Sequence, residues 1–322
     1  MEQNNNHIES NIVPTQNKKY GKYISIKQII DDTLPSPDPI IGDGILLEQT
    51  LLLIKGKQKV WKSMLAMNLS IALAKGESFS IFKIKRKQRV LLLSSEGGYY
   101  PNRDRINKMA KRFPEAAELD LFMCFDPRLK IDQNDGQEQI RQKLSMFNPS
   151  VLIIDPLIKF HNSDENSAKE MIKVMNELRN LIEDYKLSII LVHHMGKNGN
   201  SGSRGSSVIE GEYDSCIEMS ITDKKKKEVS LEFDLRHFES PDKKKIVFDA
   251  NTFWFESEIR ILSKPAKLVQ ESGPINRKLL ANKLVESGDY SSINNAYKPI
   301  KSDLDKGILV IDKDEQITLA KL

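Results

Sequence analysis

The sequence contains few of the features that mark secreted, disulfide-linked or membrane proteins. Its 322 residues include two cysteines, Cys124 and Cys216, which are far apart in apolar runs, so neither a disulfide framework nor a thiolate metal site is expected. No apolar run approaches the roughly 18 residues that cross a membrane, and the first residues lack the charged-then-apolar order of a secretory signal. We therefore expect a globular cytoplasmic protein without a membrane partner.

The sequence also lacks a large excess of one charge. The 49 Lys and Arg residues against 45 Asp and Glu residues give a formal net charge of +4, which permits contact with nucleic acid without arguing for it. The adjacent His193 and His194 have no carboxylate or cysteine at a metal-ligand spacing nearby, so a zinc site is not predicted. Residues 1–22, rich in Asn, Gln, Lys and Ser, predict a disordered polar tail.

What the sequence does contain is an alternation of apolar runs with amphipathic stretches. Buried strands are predicted at residues 51–54, 90–94, 121–125, 151–155 and 188–193, and helices at residues 64–75, 103–112, 136–147 and 167–185. This alternation predicts an α/β fold with a mostly parallel sheet and right-handed crossovers. After about residue 214, shorter pieces separated by polar turns predict antiparallel strands that extend the sheet, with the lysines at 224–227 at a hairpin tip.

A boundary near residues 263–265 predicts a core domain of residues 23–262 and a small domain of residues 263–322. One helical pattern in the small domain groups Ile275, Leu279, Leu280 and Leu284, and a second groups Ile293, Tyr297, Ile300 and Leu304. Two short strand-like segments follow, a pattern typical of a winged-helix domain. Such a domain holds nucleic acid in some proteins and docks a protein partner in others, and both stay open.

A phosphate-binding loop is predicted between the first strand and the first core helix. It comprises Gly56, Lys57, Gln58, Lys59, Val60, Trp61, Lys62 and Ser63, with Met64 at the start of the helix. Backbone N–H groups and the helix N-terminus would cradle a phosphate, Lys62 would reach the β and γ groups, and the Ser63 hydroxyl would bind Mg²⁺. The loop meets GxxxxGK[ST] except at Trp61, where a glycine is usual. Alone, this pattern leaves open an ordinary surface loop or a site that binds nucleotide without turnover.

Polar residues at the ends of three further strands strengthen the phosphate-site interpretation. Glu96 follows a strand beside two glycines and could deprotonate an attacking water. Asp155 ends a buried strand, where its charge needs a partner such as Mg²⁺ or a hydroxyl. His193 ends another strand and could contact a γ-phosphate. Strand ends share one edge in an open α/β sheet, although a surface acid, a helix-capping aspartate and a hydrogen-bonded histidine stay alternatives.

Together these motifs resemble the RecA-like P-loop ATPases of the DnaB and KaiC group, and more narrowly the RepA-type hexameric replicative helicases and their AAA_25 relatives. The resemblance covers residues 40–255 and is most specific at residues 94–105, 152–157, 191–197 and 203–215. It implies ATP and Mg²⁺ as cofactors, with Glu96 as the catalytic base, Asp155 on Mg²⁺ and His193 at the γ-phosphate. It further implies that Arg204 acts in trans, as a finger in a neighbouring subunit's site, and that Arg236 lies near the phosphates at the subunit boundary.

The function implied by the resemblance is that of an ATP-hydrolysing homo-oligomer, a hexameric ring that acts on single-stranded DNA as a replicative helicase of a plasmid or mobile element. Two loops, residues 159–167 and 197–204, would line the ring, and Phe160 is the one aromatic residue that they offer for stacking. Two alternatives stay open. One is an oligomeric ATPase switch in recombination, repair or defence that does not unwind DNA, and the other is a DNA-binding protein with a vestigial phosphate loop.

Overall fold

The computed structural model describes residues 24–113, 118–195, 204–257 and 263–320, and for residues 204–206 it describes the backbone alone. The predicted polar tail lies outside these ranges, as do residues 197–203 of the second predicted DNA loop. The chain divides into two compact units, residues 1–37 and 38–322. In the first unit, helix α1 (Ile26–Asp31) begins with reciprocal hydrogen bonds between Ser25 and Gln28, a capping box.

Nine strands of the second unit form one sheet. In chain order they are β1 (Leu51–Gly56), β2 (Val90–Ser94), β3 (Leu121–Cys124), β4 (Val151–Asp155), β5 (Ser188–His194), β6 (Ser215–Asp223), β7 (Glu228–Leu235), β8 (Lys244–Phe248) and β9 (Phe255–Ser257). Their order across the sheet is β3-β2-β4-β5-β1-β6-β7-β8-β9. The first six strands in this order are parallel, and β7, β8 and β9 extend them antiparallel. The predicted parallel sheet with an antiparallel extension is thus confirmed.

One strand direction differs from the expectation. The turn-rich pattern after residue 214 predicts that all the later strands are antiparallel, and for β6 this is wrong, because β6 pairs in parallel with β1. Its direction follows from the segment before it, where a helix crosses from β5 back to the sheet, and a crossover of this kind joins parallel strands.

The helices of the core are α2 (Lys62–Lys75), α3 (Tyr99–Ala110), α4 (Asn134–Phe147), α5 (Ala168–Tyr185) and α6 (Arg204–Glu212), with a 3₁₀ turn at Leu157–Lys159. Two hydrophobic clusters cover the faces of the sheet: Leu52 and Ile54 pack into one, and Leu51 and Leu53 into the other, as alternation along a strand requires. Helix α2 is buried almost all round, which explains why its sequence shows little amphipathic pattern. None of the described helices is long and apolar enough to cross a membrane.

Residues 264–319 contain a separate small core. Its elements are α7 (Lys264–Ser272), β10 (Ile275–Asn276), α8 (Arg277–Glu286), α9 (Ile293–Asp305), β11 (Leu309–Ile311) and β12 (Gln316–Leu319). The strands form a second sheet in the order β10-β12-β11. Helix α7 was absent from the expected pattern of two helices and two strands. The order of elements is compatible with a winged-helix domain, which stays a prediction, as do the domain boundaries at residues 22 and 262.

The predicted apolar faces of the small domain are partly wrong. Ile275 lies in β10 and not in the helix, and Leu279 is half-exposed, although Leu280 and Leu284 of the same group are buried. In the second group Ile300 is buried, whereas the side chain of Ile293, the first residue of its helix, is 40% exposed. The helical spacing was extended past the start of α8 and therefore included Ile275, which lies in a strand.

Candidate nucleotide-binding site

The predicted site residues meet at the carboxyl edge of the sheet. Strands β2, β4, β5 and β1 are adjacent and parallel, and their register pairs Ser94 with Asp155 and Gly56 with His194. The backbone N–H of Met195 donates to Gly56 O at 3.1 Å, which joins the end of β5 to the start of the phosphate loop. The loop, the aspartate and the histidine pair therefore share the edge at which open α/β sheets bind ligands.

The side chain of Lys62 lies inside the phosphate loop. It is 3% exposed, and its Nζ donates to Gly56 O and Lys57 O, both at 2.8 Å. Burial lowers the pKa of Lys62 to about 8, although the charges of Asp155 and Glu96 oppose this effect. The ammonium group is therefore still charged at neutral pH, and two loop carbonyls hold it at the N-terminus of α2, where an anion is favoured.

Ser63 and Asp155 form the metal-ligating part of the site. Ser63 Oγ donates to Asp155 Oδ1 at 3.0 Å, and Asp155 is 1% exposed. Burial raises the pKa of Asp155 to about 7, while the hydrogen bond from Ser63 and the charges of Lys62 and Arg105 act in the opposite direction. Hydroxyl and carboxylate oxygens are ligands that Mg²⁺ prefers, and a divalent cation would offset the cost of burying this charge. These two residues therefore fit the predicted Mg²⁺ site.

Trp61 has a backbone conformation that glycine adopts without strain. Its φ of 62° and ψ of 27° lie in the left-handed region, which costs a non-glycine residue about 1–2 kcal/mol. Its indole stacks on Phe248 of β8, with ring centroids 5.6 Å apart and an angle of 16° between the planes. Such an aromatic pair contributes about 0.5–1.5 kcal/mol beyond the area it buries. Packing on the antiparallel part of the sheet therefore offsets the strain in the loop.

The turn that bears Glu96 is held by Asn102, a residue that the sequence motifs did not single out. Asn102 is fully buried, and its Nδ2 donates to Glu96 O at 2.9 Å and to Gly98 O at 2.8 Å. Its Oδ1 accepts from Arg105 Nη1 at 3.1 Å. Gly97 and Gly98 have φ values of 81° and 66°, which glycine adopts without strain. Hydrogen bonds from Asn102 of α3 therefore hold the backbone of the turn that bears Glu96.

The two adjacent histidines face different carboxylates. His193 Nδ1 lies 3.8 Å from Glu165 Oε1, whereas His194 Nε2 lies 3.8 Å from Glu96 Oε1. Burial lowers the pKa of both imidazoles, so both rings are largely neutral at pH 7. The charge of Lys62 lowers both pKa values further, and each carboxylate opposes the shift. Sequence patterns predicted neither the contact of His194 with Glu96 nor that of His193 with Glu165.

Of the two predicted arginines, the structure describes the side chain of Arg236 but only the backbone of Arg204. Arg204 is the first residue of α6, and its side chain lies outside the described residues. Arg236 is exposed, and its Nη2 donates to Gly211 O near the C-terminal end of the same helix at 2.8 Å. Their roles in a neighbouring subunit's site stay predictions.

The first predicted DNA loop, residues 159–167, does not offer a stacking aromatic. Phe160 is fully buried in the hydrophobic cluster that contains β4 and α5, so the expectation that it could stack on a base is wrong. Phe160 follows the 3₁₀ turn directly and is buried there, which the composition of the loop does not reveal. The second loop falls outside the described residues apart from the backbone of Arg204.

Comparisons with known proteins agree with this geometry. A family model described as AAA_25, AAA domain, matches residues 23–200, more than half of the chain. No curated protein matches the chain. One solved structure, described as an ATPase domain, is 13% identical with a TM-score of 0.54, over 72% of this chain and 95% of that one. Another, described as "The Structure Of A DnaB-Like Replicative Helicase And Its Interactions With Primase", is 14% identical with a TM-score of 0.52, over 65% of this chain and 57% of that one. These likenesses show a shared fold.

Proposed function

The chain belongs to the AAA_25 family of AAA domains, and on that premise we propose that it hydrolyses ATP as a homo-oligomer that acts on single-stranded DNA. The observation that carries this proposal is the meeting of a buried lysine, a serine–aspartate pair and a glutamate at one edge of the sheet. Lys62 is close enough to Asp155 and Glu96 for both charges to act on its pKa, and Ser63 bonds directly to Asp155. Phosphoryl transfer to water needs this combination of cation, metal ligands and base.

In the proposed reaction the residues of the loop bind and orient the nucleotide. Lys62 leaves the carbonyl oxygens of Gly56 and Lys57 and contacts the β- and γ-phosphates, while N–H groups at the start of α2 face the same anion. Ser63 and Asp155 would hold Mg²⁺, which neutralises phosphate charge when bound. As the oxygen of the attacking water bonds to the γ-phosphorus and the bond to the ADP oxygen breaks, Glu96 accepts the proton of the water.

The proposed oligomer rests on the role of Arg204 in trans. A guanidinium supplied in trans typically contributes about 10³- to 10⁵-fold in rate to such reactions. Arg236 bonds to the other end of the helix that begins at Arg204, so both arginines belong to one structural segment that would face the neighbouring subunit. A hexameric ring, DNA contacts from residues 159–167 and 197–204, a replicative role in a plasmid or mobile element, and a protein partner of the C-terminal domain belong to the same proposal.

Three measurements test the proposed function. ATP hydrolysis is measured with and without single-stranded DNA, strand displacement is measured on a forked duplex, and nucleotide binding is measured separately. We expect hydrolysis that DNA stimulates, together with displacement. Stimulated hydrolysis without displacement would refute the helicase and support the ATPase switch. Nucleotide binding without hydrolysis would support the vestigial phosphate loop.

A mixing experiment tests the trans arginine. Glu96→Gln and Arg204→Ala oligomers are each expected to lose at least about 10³-fold in turnover, with nucleotide still bound. Mixed oligomers should regain part of the rate, because an Arg204→Ala subunit supplies Glu96 and its Glu96→Gln neighbour supplies the arginine. Arg128→Ala, which removes an exposed arginine bonded to Asp126, is the matched control and should leave turnover unchanged. No recovery on mixing would contradict a finger in trans.

A further inference from the structure

One buried cluster of ionisable side chains has no role in the mechanism above. Glu165 Oε1 lies 3.6 Å from His161 Nε2 and 3.8 Å from His193 Nδ1. These three atoms are buried, and within the described ranges none of them has a hydrogen-bond partner. Burying such groups is costly unless they interact with one another, so their convergence on one carboxylate oxygen calls for a reason.

The segment that bears Glu165 is firmly attached to the rest of the core. Asp132 Oδ2 accepts from the Asn162 backbone N–H at 2.9 Å and from Ser163 Oγ at 2.8 Å. The backbone N–H of Asp164 donates to Glu170 Oε2 at 2.8 Å, at the start of α5. The position of the Glu165 carboxylate therefore depends on the whole 159–167 segment, which is the first of the two loops proposed to meet DNA.

His161 faces the same carboxylate from within the segment. Its Nδ1 lies 3.1 Å from Ser163 O, and because a carbonyl oxygen can only accept, this nitrogen carries a proton. The ring is thereby fixed with its Nε2 towards Glu165. Burial raises the pKa of Glu165, but the nearby imidazoles of His161, His193 and His194 together outweigh burial and leave the pKa below its ordinary value. Glu165 is therefore a carboxylate at neutral pH.

A carboxylate beside one ring nitrogen of a histidine determines what the other nitrogen can do. It favours the tautomer that is protonated on the near nitrogen, here Nδ1 of His193, and it stabilises the doubly protonated ring. With a phosphate anion on the Nε2 side, the ring would lie between two anions and would take up a second proton. The arrangement thus lets a neutral, buried His193 become a donor when an anion arrives.

We propose that Glu165 is a positioning residue for His193: its carboxylate fixes the Nδ1–H tautomer and stabilises the protonated ring that donates to the γ-phosphate. This inference rests on the proposed ATP hydrolysis and deepens it. It also connects two parts of the molecule, because a shift of the 159–167 segment changes the distance between Glu165 and His193.

The kinetic test uses Glu165→Gln, which keeps the shape of the side chain and removes its charge. We expect kcat to fall about 10- to 100-fold, as is typical when a carboxylate behind a functional histidine is lost, with KM for ATP changed by less than about threefold. Glu138→Gln is the matched control, because it makes the same change on the exposed face of α4, where the side chain accepts from Gln142 Nε2 and glutamine can still accept. Glu165→Asp, which keeps the charge, should retain more activity than Glu165→Gln, and the reverse order would overturn the proposal.

A double variant separates action through His193 from an independent effect. If Glu165 acts through the imidazole, adding Glu165→Gln to His193→Ala should cause little further loss of kcat. Multiplication of the two single losses would overturn the proposal.

A third measurement does not depend on turnover. In nucleotide-free protein, the pKa and tautomer of His193 are read by NMR of ¹⁵N-labelled histidine. Glu165→Gln should lower this pKa by about one unit or more and reduce the Nδ1–H tautomer, whereas Glu138→Gln should change neither. An unchanged His193 would overturn the positioning role. Absence of ATPase activity in the unaltered protein would instead refute the proposed function and leave this measurement valid.

Discussion

Replacing Asp155 by asparagine is expected to stabilise the nucleotide-free protein at pH 8 far more than at pH 5. The pKa of this carboxyl rises from 3.8 to about 7 on folding, chiefly because the group is buried. A folded-state pKa above the unfolded one means that the folded protein keeps a proton that the unfolded chain releases. The free energy of unfolding therefore decreases as the pH rises through this window. Asparagine can still accept the hydrogen bond from Ser63 but has no charge to desolvate.

The size of the effect follows from the shift. One pKa unit corresponds to about 1.36 kcal/mol, so a shift from 3.8 to about 7 corresponds to about 4 kcal/mol. This cost is absent below pH 3.8 and complete above pH 7. Between pH 5 and pH 8, the advantage of Asp155→Asn over the unaltered protein should grow by about 3 kcal/mol. Saturating Mg²⁺ and nucleotide should reverse the order, because a cation compensates a carboxylate and not an amide.

Urea unfolding followed by tryptophan fluorescence measures this difference in the ATPase core alone. The chain has two tryptophans, and both Trp61 and Trp254 precede the small domain. Asp120→Asn, at an exposed carboxylate before β3, is the control and should show no comparable change with pH. A stability difference for Asp155→Asn that stays constant from pH 5 to pH 8 would refute the conclusion that burial raises the pKa of Asp155.

Two further predictions concern the backbone around the site. Trp61→Gly should lower the free energy of unfolding by about 2 kcal/mol, because the lost contact with Phe248 outweighs the relief of strain. Trp61→Ala should be less stable still by about 1 kcal/mol, since alanine keeps the strain without the contact. Urea unfolding checks this order. Asn102→Ala should lower the free energy of unfolding by about 1–3 kcal/mol in the same assay, because the Glu96 and Gly98 carbonyls lose their donor. It should also lower kcat. An unchanged kcat would show that the turn does not position Glu96.

Strands β1 to β5 could be predicted because burial on both faces leaves a continuous apolar run. Helices α2 to α5 were predicted with ends that differ by up to four residues, whereas α6 was not predicted. β2 and β4 were predicted residue for residue, since their runs end abruptly at Ser94 and Asp155. The small domain was harder because its elements are short. Asn276 caps α8 by accepting from the backbone N–H groups of Lys278 and Leu279, a local signal that separates Ile275 from the helix. The spacing of apolar residues alone does not reveal this cap.

The same distinction applies to the site. A residue at the end of a parallel strand can be placed at the sheet edge from sequence, because the topology brings all such ends together. The partner that faces it cannot, since the contacts of Glu165 with His193 and of Glu96 with His194 depend on how separate segments pack. The one local hint was the spacing of His161 and Glu165, four residues apart, in the segment after β4.

Trp61 shows why a motif should be read as a backbone conformation. A glycine before the lysine would adopt a positive φ without strain. Trp61 adopts that positive φ, and its indole stacks on Phe248. The stacking on Phe248 is of the same order as the strain, so the contact with β8 offsets the cost of the positive φ. The proposed phosphate loop is therefore coupled to the antiparallel extension of the sheet, and a glycine at this position would remove this coupling.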